Sequence, residues 1–126
     1  DSREESDYLP HNYSRNCVVY TGTHDNDTTA GWCRHLKRSD WDFCCEYLHI
    51  RPGEKHPTEI IVSAAMGSVA DTCIIPLQDY LELGTEARIN TPSTVGDNWT
   101  WRMRKEMIGE DLAKKIYRMT SMYGRL

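Results

Sequence analysis

Two short apolar runs, Cys17-Val18-Val19-Tyr20 and Thr72-Cys73-Ile74-Ile75, interrupt an otherwise polar chain. Both are rich in β-branched or aromatic residues and too short for a helix, so each predicts a brief buried strand, over residues 17–21 and 72–75. Elsewhere apolar positions recur at helical spacing. Asp27-Thr28-Thr29 offers caps, with Asp27 as N-cap, for a helix from Ala30 to Leu36. Ser39-Asp40-Trp41-Asp42 resembles a capping box and opens a helix to about Ile50, with Trp41, Cys44, Cys45 and Leu48 on one face. Arg51-Pro52-Gly53 ends it. Pro57 suits the first turn of the next helix, whose stripe Ile60, Ile61, Ala64 and Ala65 closes near Gly67.

After the second strand, Pro76 to Gly84 predicts a turn of helix with Gly84 as its C-cap. Residues 85–104 mix glycine, proline, asparagine and two tryptophans, the composition of a long, ordered loop with a function. Glu110 to Tyr123 is amphipathic, with Leu112, Ala113, Ile116, Met119 and Tyr123 opposite a solvated face of Lys114, Lys115 and Arg118. Residues 1–7 read as a loop or ragged end, and Tyr8 to Tyr13 as a packed loop before the first strand.

The order strand, helices, strand, helix makes an α/β protein with two short parallel strands. Two such strands are not self-sufficient, because a parallel pair needs both faces and both edges covered. A complete (β/α)8 barrel takes roughly 250 residues, and this chain has 126. The expected architecture is therefore one piece of a larger barrel, residues 1–126 forming a single segment with no second domain. Exposed barrel edges would also favour self-association.

A formal charge of −4, with charged residues of both signs making up 27% of the chain, leaves no broad basic footprint. This excludes nucleic acid and acidic membrane as expected partners and favours a neutral small molecule. No apolar run approaches the roughly 20 residues of a membrane span, and the acidic opening DSREESD is unlike a secretory signal. The five cysteines, Cys17, Cys33, Cys44, Cys45 and Cys73, contain no C-x-x-C pair. They argue for a reducing, cytoplasmic setting rather than a disulfide framework. Cys44, Cys45 and His49 have a spacing that a metal could use, yet only one complete ligand pair shares a helix face, so small apolar helix residues describe the cysteines better.

The densest chemistry, Thr23-His24-Asp25-Asn26-Asp27, follows the first strand directly. Parallel α/β proteins present reactive side chains at this end of a strand. Residue by residue, the cluster is open to two readings. A hard-metal site would suit its carboxylates and histidine, but neighbours on an extended chain point apart unless the chain bends. Alternatively Asp27 caps a helix and Asp25 accepts loop N–H groups. Trp99 and Trp101 either stack on a sugar or pin the long loop, with packing preferred; Trp32 and Trp41 fall in helical patterns and are expected in the core. His11, His35, His49 and His56 have no convergent partner in the sequence and are assigned surface or capping roles.

The segment from Tyr8 to Trp32, followed in order by Ile75 to Leu81, Leu83-Gly84, Glu86 to Asn90 and Asn98 to Arg102, resembles the C-terminal part of the 4-α-glucanotransferases, the amylomaltase or disproportionating-enzyme family. Agreement of several separate motifs in order is far more specific than one short pattern. The resemblance implies a (β/α)8 barrel enzyme that moves segments of an α-1,4-glucan or maltooligosaccharide to the 4-hydroxyl of an acceptor, without metal or cofactor. Such retaining transfer uses a carboxylate nucleophile and an acid/base carboxyl roughly 5–5.5 Å apart. In the family both belong to earlier strands, outside this sequence.

Asp25 then corresponds to the family's third acidic residue, binding sugar hydroxyls as the ring distorts, with His24 on the same sugar and Asn90 near it. Two departures are visible. Ile89 replaces a common methionine and Ser93 a common glycine, and Ser93 would affect the loop if that position has positive φ. The resemblance further implies that the chain alone is inactive and that its partner is the preceding part of the barrel. The alternative is a non-catalytic glucan-binding or structural remnant.

Overall fold

The computed structural model describes residues 5–126. The expectation for residues 1–4 lies outside the described part. The elements are β1 (Val18–Tyr20), α1 (Thr29–His35), α2 (Arg38–Tyr47), α3 (Pro57–Met66), β2 (Thr72–Ile74), α4 (Leu77–Tyr80) and α5 (Glu110–Met122), with 3-10 turns at Pro10–Asn12, Thr85–Ala87 and Lys105–Met107. None of these helices is long and apolar enough to cross a membrane.

β1 and β2 pair in parallel with Val18 opposite Thr72, Val19 opposite Cys73 and Tyr20 opposite Ile74. Among the described residues, only one face of this ribbon is covered. Val19 is buried with Ala65 and Ala70, and Cys73 and Ile75 pack against them. On the opposite face Val18, Tyr20 and Ile74 are each close to half exposed. The strands were expected to be buried throughout; they alternate instead, because successive side chains point to opposite sides and helices lie against one side alone.

Helix α3 carries the core. Its buried positions are Thr58, Val62, Ala65 and Met66, and Val62 and Met66 meet Met119 of α5 beside Ile75 and Tyr80. Pro57 does occupy the first turn. Of the predicted stripe Ala65 is buried, but Ile60, Ile61 and Ala64 are only half-buried. In a run as apolar as Ile60 to Met66, helical period alone does not choose a face, and the neighbouring elements decide.

Helix ends account for several further corrections. Thr28, not Asp27, caps α1: its side chain accepts the Gly31 N–H at 3.1 Å. Helix α2 begins at Arg38 without a side-chain cap, so the expected capping box does not form. No residue of α2 is buried, Trp41 is half-buried, and Trp32 on α1 is exposed, against the expectation of two core tryptophans. Gly84 does not close α4. Closure falls to Glu82, in the left-handed region at φ 53°, with Leu83 N–H donating to Gln78 and Glu82 N–H to Asp79. That is a Schellman arrangement, and His49 and Gly124 end α2 and α5 in the same way. Gly84 is instead extended and buried, and its N–H donates to Glu86 Oε1 at 2.9 Å.

The end of the chain is tied back to the core. Arg125 donates to the carbonyls of Met66 (2.7 Å), Ser68 (3.0 Å) and Ala70 (2.8 Å), closing α3 and the turn that leads into β2. Lys115, expected in solvent, reaches Glu59 at 3.0 Å.

Candidate active site

Because β1 and β2 run parallel, the chain leaves both at the same end, and the segments 21–28 and 75–90 lie side by side there. Between them is an open cavity of about 580 Å³, lined by Tyr20, His24, Asp25, Ile74, Asp79 and Arg88 among others.

A tight turn supplies the bend that the polar cluster requires. Asn26 Oδ1 accepts both the backbone N–H (2.8 Å) and the hydroxyl (2.9 Å) of Thr23, and Asn26 N–H returns to the Thr23 carbonyl at 3.2 Å. This turn presents His24 and Asp25 together, with His24 Nε2 3.3 Å from Asp25 Oδ1. Asn90, 65 positions on in sequence, donates from Nδ2 to the same oxygen at 2.6 Å. The three residues singled out from the sequence are therefore in mutual contact. Oδ1 of Asp25 accepts from Asn90 and has His24 Nε2 close by, whereas Oδ2 accepts nothing from the described residues. Asp25 and His24 both remain about half exposed.

The backbone is laced at the same point. Asn90 N–H donates to the His24 carbonyl at 3.1 Å, while Arg88 donates to the Asp25 carbonyl (2.7 Å) and to the Asn90 carbonyl (2.9 Å). A planar guanidinium can bridge two acceptors in this manner, which a lysine ammonium does far less well. Arg88 thus holds the two strands of the site in register.

Asp27 turns away from this group. Its oxygens accept from Thr28 N–H and the Thr85 hydroxyl, both at 2.8 Å, and His35 lies 3.7 Å off. Among the described residues no three of His, Cys, Asp and Glu are gathered to hold a metal ion. Three histidines have partners that their spacing in sequence did not reveal: His35 with Asp27, His11 with Tyr47 (2.8 Å) and His56 with Glu82 (2.7 Å). All five cysteines are free thiols. Burial, followed by the nearby Cys44, pushes Cys33 up to about 12, and burial followed by Cys45 pushes Cys44 up to about 11, so both are protonated at neutral pH.

Two further residues stand differently from what the sequence suggested: Asp79 was quoted in a motif without a role, and Trp99 was expected to pack. Asp79 is only 2% exposed and accepts from the Thr21 hydroxyl (2.5 Å), Thr29 N–H (2.8 Å) and the Thr29 hydroxyl (2.8 Å). It ties the end of β1 to the first turn of α1, bracing both ends of the segment that carries His24 and Asp25. Trp99 is instead exposed, and its ring centroid lies 5.2 Å from that of His24. An aspartate behind a proline and a tryptophan in a loop carry no local signal of these long-range contacts.

Comparisons with known proteins identify the family. The profile of glycoside hydrolase family 77, described as 4-alpha-glucanotransferase, matches residues 1–108. The 4-alpha-glucanotransferase of Clostridium butyricum is 47% identical over 119 residues, covering 94% of this chain and 24% of that protein. The chloroplastic/amyloplastic 4-alpha-glucanotransferase of Arabidopsis thaliana is 42% identical over 125 residues, 97% of this chain and 22% of its own. The structure of amylomaltase from Streptococcus agalactiae in complex with acarbose superposes with a TM-score of 0.92 at 36% identity, over 99% of this chain and 25% of that one. The chain thus spans about a quarter of the length of the relatives it matches, and on the strength of profile, identity and fold together it belongs to the 4-alpha-glucanotransferase family.

Proposed function

We propose that residues 1–126 form the C-terminal segment of a (β/α)8 catalytic barrel, contributing its last two strands and one wall of the sugar site of an enzyme that transfers α-1,4-glucan segments. The half-exposed face of the β1–β2 ribbon suits a barrel lining, and the cavity lies at the strand ends where barrel enzymes do their chemistry. Five free thiols suit a reducing compartment such as the cytoplasm.

The observation that carries this reading is the state of Asp25. Oδ1 accepts from Asn90 with His24 Nε2 close by, and Oδ2, which accepts nothing from the described residues, can take hydroxyls of a bound glucosyl ring. An ionised carboxylate is a strong acceptor, and its hydrogen bonds to hydroxyls tighten as the ring flattens and positive charge develops. His24 can bond the same ring, and Asn90 sets the carboxylate's orientation. Retaining transfer requires two further carboxyl groups roughly 5–5.5 Å apart. The other carboxylates lining the cavity, Asp27 and Asp79, have both oxygens engaged. Nucleophile and acid/base therefore come from the rest of the barrel, and the chain alone does no transfer.

The test is calorimetric titration of the 126-residue chain with maltotetraose. Wild type is expected to bind, and Asp25→Asn to bind about tenfold more weakly, the scale of one charge-assisted hydrogen bond. Equal affinity in the two would remove Asp25 from the sugar site. Redistribution of maltotriose by the chain alone would overturn the assignment of the covalent step to other residues.

A further inference from the structure

We propose that Trp99 is a stacking platform for the glucosyl ring next to the one held at Asp25, an inference that rests on the glucan reading above and assigns it a second subsite. The evidence lies in how the loop holds this residue. Trp99 has φ 64°, in the left-handed region that bulky side chains enter only when their surroundings force them. The restraints are visible on both sides of it. Trp99 N–H donates to the Ile89 carbonyl at 2.7 Å, and Arg102 Nη1 donates to the carbonyls of Trp99 and Trp101, each at 2.8 Å. Asn98 beside it anchors the loop through Thr91 N–H (2.8 Å) and the Thr94 hydroxyl (3.0 Å).

All this holds the backbone, while the indole is left 57% exposed. A tryptophan that pins a loop does the reverse, burying its ring so that the backbone needs fewer bonds. Its neighbour Trp101 is half-buried and comes closer to that pattern. The exposed indole stands beside the His24 imidazole at 5.2 Å, tilted by 36°, and His24 in turn touches Asp25 at 3.3 Å. The indole thus neighbours His24, and His24 neighbours the carboxylate, which places an exposed aromatic face next to the residues that hold the first ring. A pyranose presents C–H groups on its faces and hydroxyls around its edge. An indole face complements the first, removing apolar surface from water, and leaves the second to solvent and polar neighbours. The ligand class is an α-1,4-linked glucose oligomer, and the strained backbone keeps the platform aimed before the ligand arrives.

The test compares wild type, Trp99→Ala, Trp99→Phe and Asp25→Asn by calorimetric titration with maltotetraose, with far-UV circular dichroism to establish folding. Trp99→Ala is expected to lower affinity about tenfold and Trp99→Phe by no more than about threefold, because phenylalanine keeps an aromatic face. Wild type should show a change in tryptophan emission on binding that Trp99→Phe lacks. Should Trp99→Ala fail to fold, the emission change decides: its persistence in Trp99→Phe overturns the platform. If Trp99→Ala binds like wild type while Asp25→Asn is weakened, the platform falls and the glucan site stands. If wild type does not bind, or neither substitution alters binding, both fall.

Discussion

Asp79→Ala removes one carboxylate and leaves three donors without an acceptor. Two of these, the N–H and hydroxyl of Thr29, belong to a residue that is 3% exposed, so water does not replace what is lost; the third, on Thr21, is partly buried and can turn toward solvent. A hydrogen bond to a charged acceptor contributes about 1.5–3 kcal/mol, and a buried donor left unpaired costs about 1–3 kcal/mol. The bonds share one acceptor and do not add fully, which brings the expected loss to about 3–5 kcal/mol. Against the 5–15 kcal/mol typical of a domain, this is a large fraction. Asp79→Asn keeps one acceptor oxygen but places an NH2 group among donors, for a smaller loss of about 2–3 kcal/mol. Urea unfolding followed by far-UV circular dichroism measures both, as lower midpoints at constant slope. A loss below about 1 kcal/mol for Asp79→Ala would refute the reasoning, since even one orphaned buried donor costs that much.

Two further outcomes are expected away from that brace. Ser93 has φ 62°, so Ser93→Gly relieves a left-handed strain and should stabilise by about 0.5–1 kcal/mol after allowing for glycine's entropy; the check is a melting temperature higher by roughly 2–5 °C, and a fall would refute it. Cys33 and Cys44 have thiols raised from the ordinary 9.0 to about 12 and about 11, so at pH 8 iodoacetamide should alkylate them at least roughly 100-fold more slowly in the folded chain than in urea, as mass spectrometry would show. The unfolded chain ionises these thiols first, so their contribution is complete below pH 9 and stability declines as pH rises from there toward 12.

What could be read along the chain was whatever depends on near neighbours. The strand cores at Val18-Val19 and Cys73-Ile74, Pro57 in a first helical turn and the ordered character of residues 85–104 all follow from local composition. What could not be read depended on partners far away in sequence. Asp27 and Thr28 are both good caps by type; the contact of Asp27 with Thr85, 58 positions on, accompanies the choice of Thr28 as cap. Trp32 and Trp41 sit at helical positions suited to a core, but among the described residues no element covers α2 or the outer side of α1 enough to bury them. The closure at Glu82 rather than Gly84 was hidden because the sequence offered glycine as the better left-handed residue, while the fold puts Glu82 in that region at φ 53° and leaves Gly84 extended.

The same division runs through the site. By itself the sequence determined the family resemblance and the residue types available for sugar chemistry, because His24, Asp25 and Asn90 stand within recognisable local motifs. Only the tertiary structure decided how they stand together: one oxygen of Asp25 held by Asn90 from 65 positions away, two carbonyls bridged by Arg88, the ends of the loop braced by Asp79, and Trp99 left exposed beside His24. Local sequence sets which donors, acceptors and ring faces exist. Their free or occupied state is a property of contacts between distant segments, and those form only when parallel strands bring the segments following them to the same end.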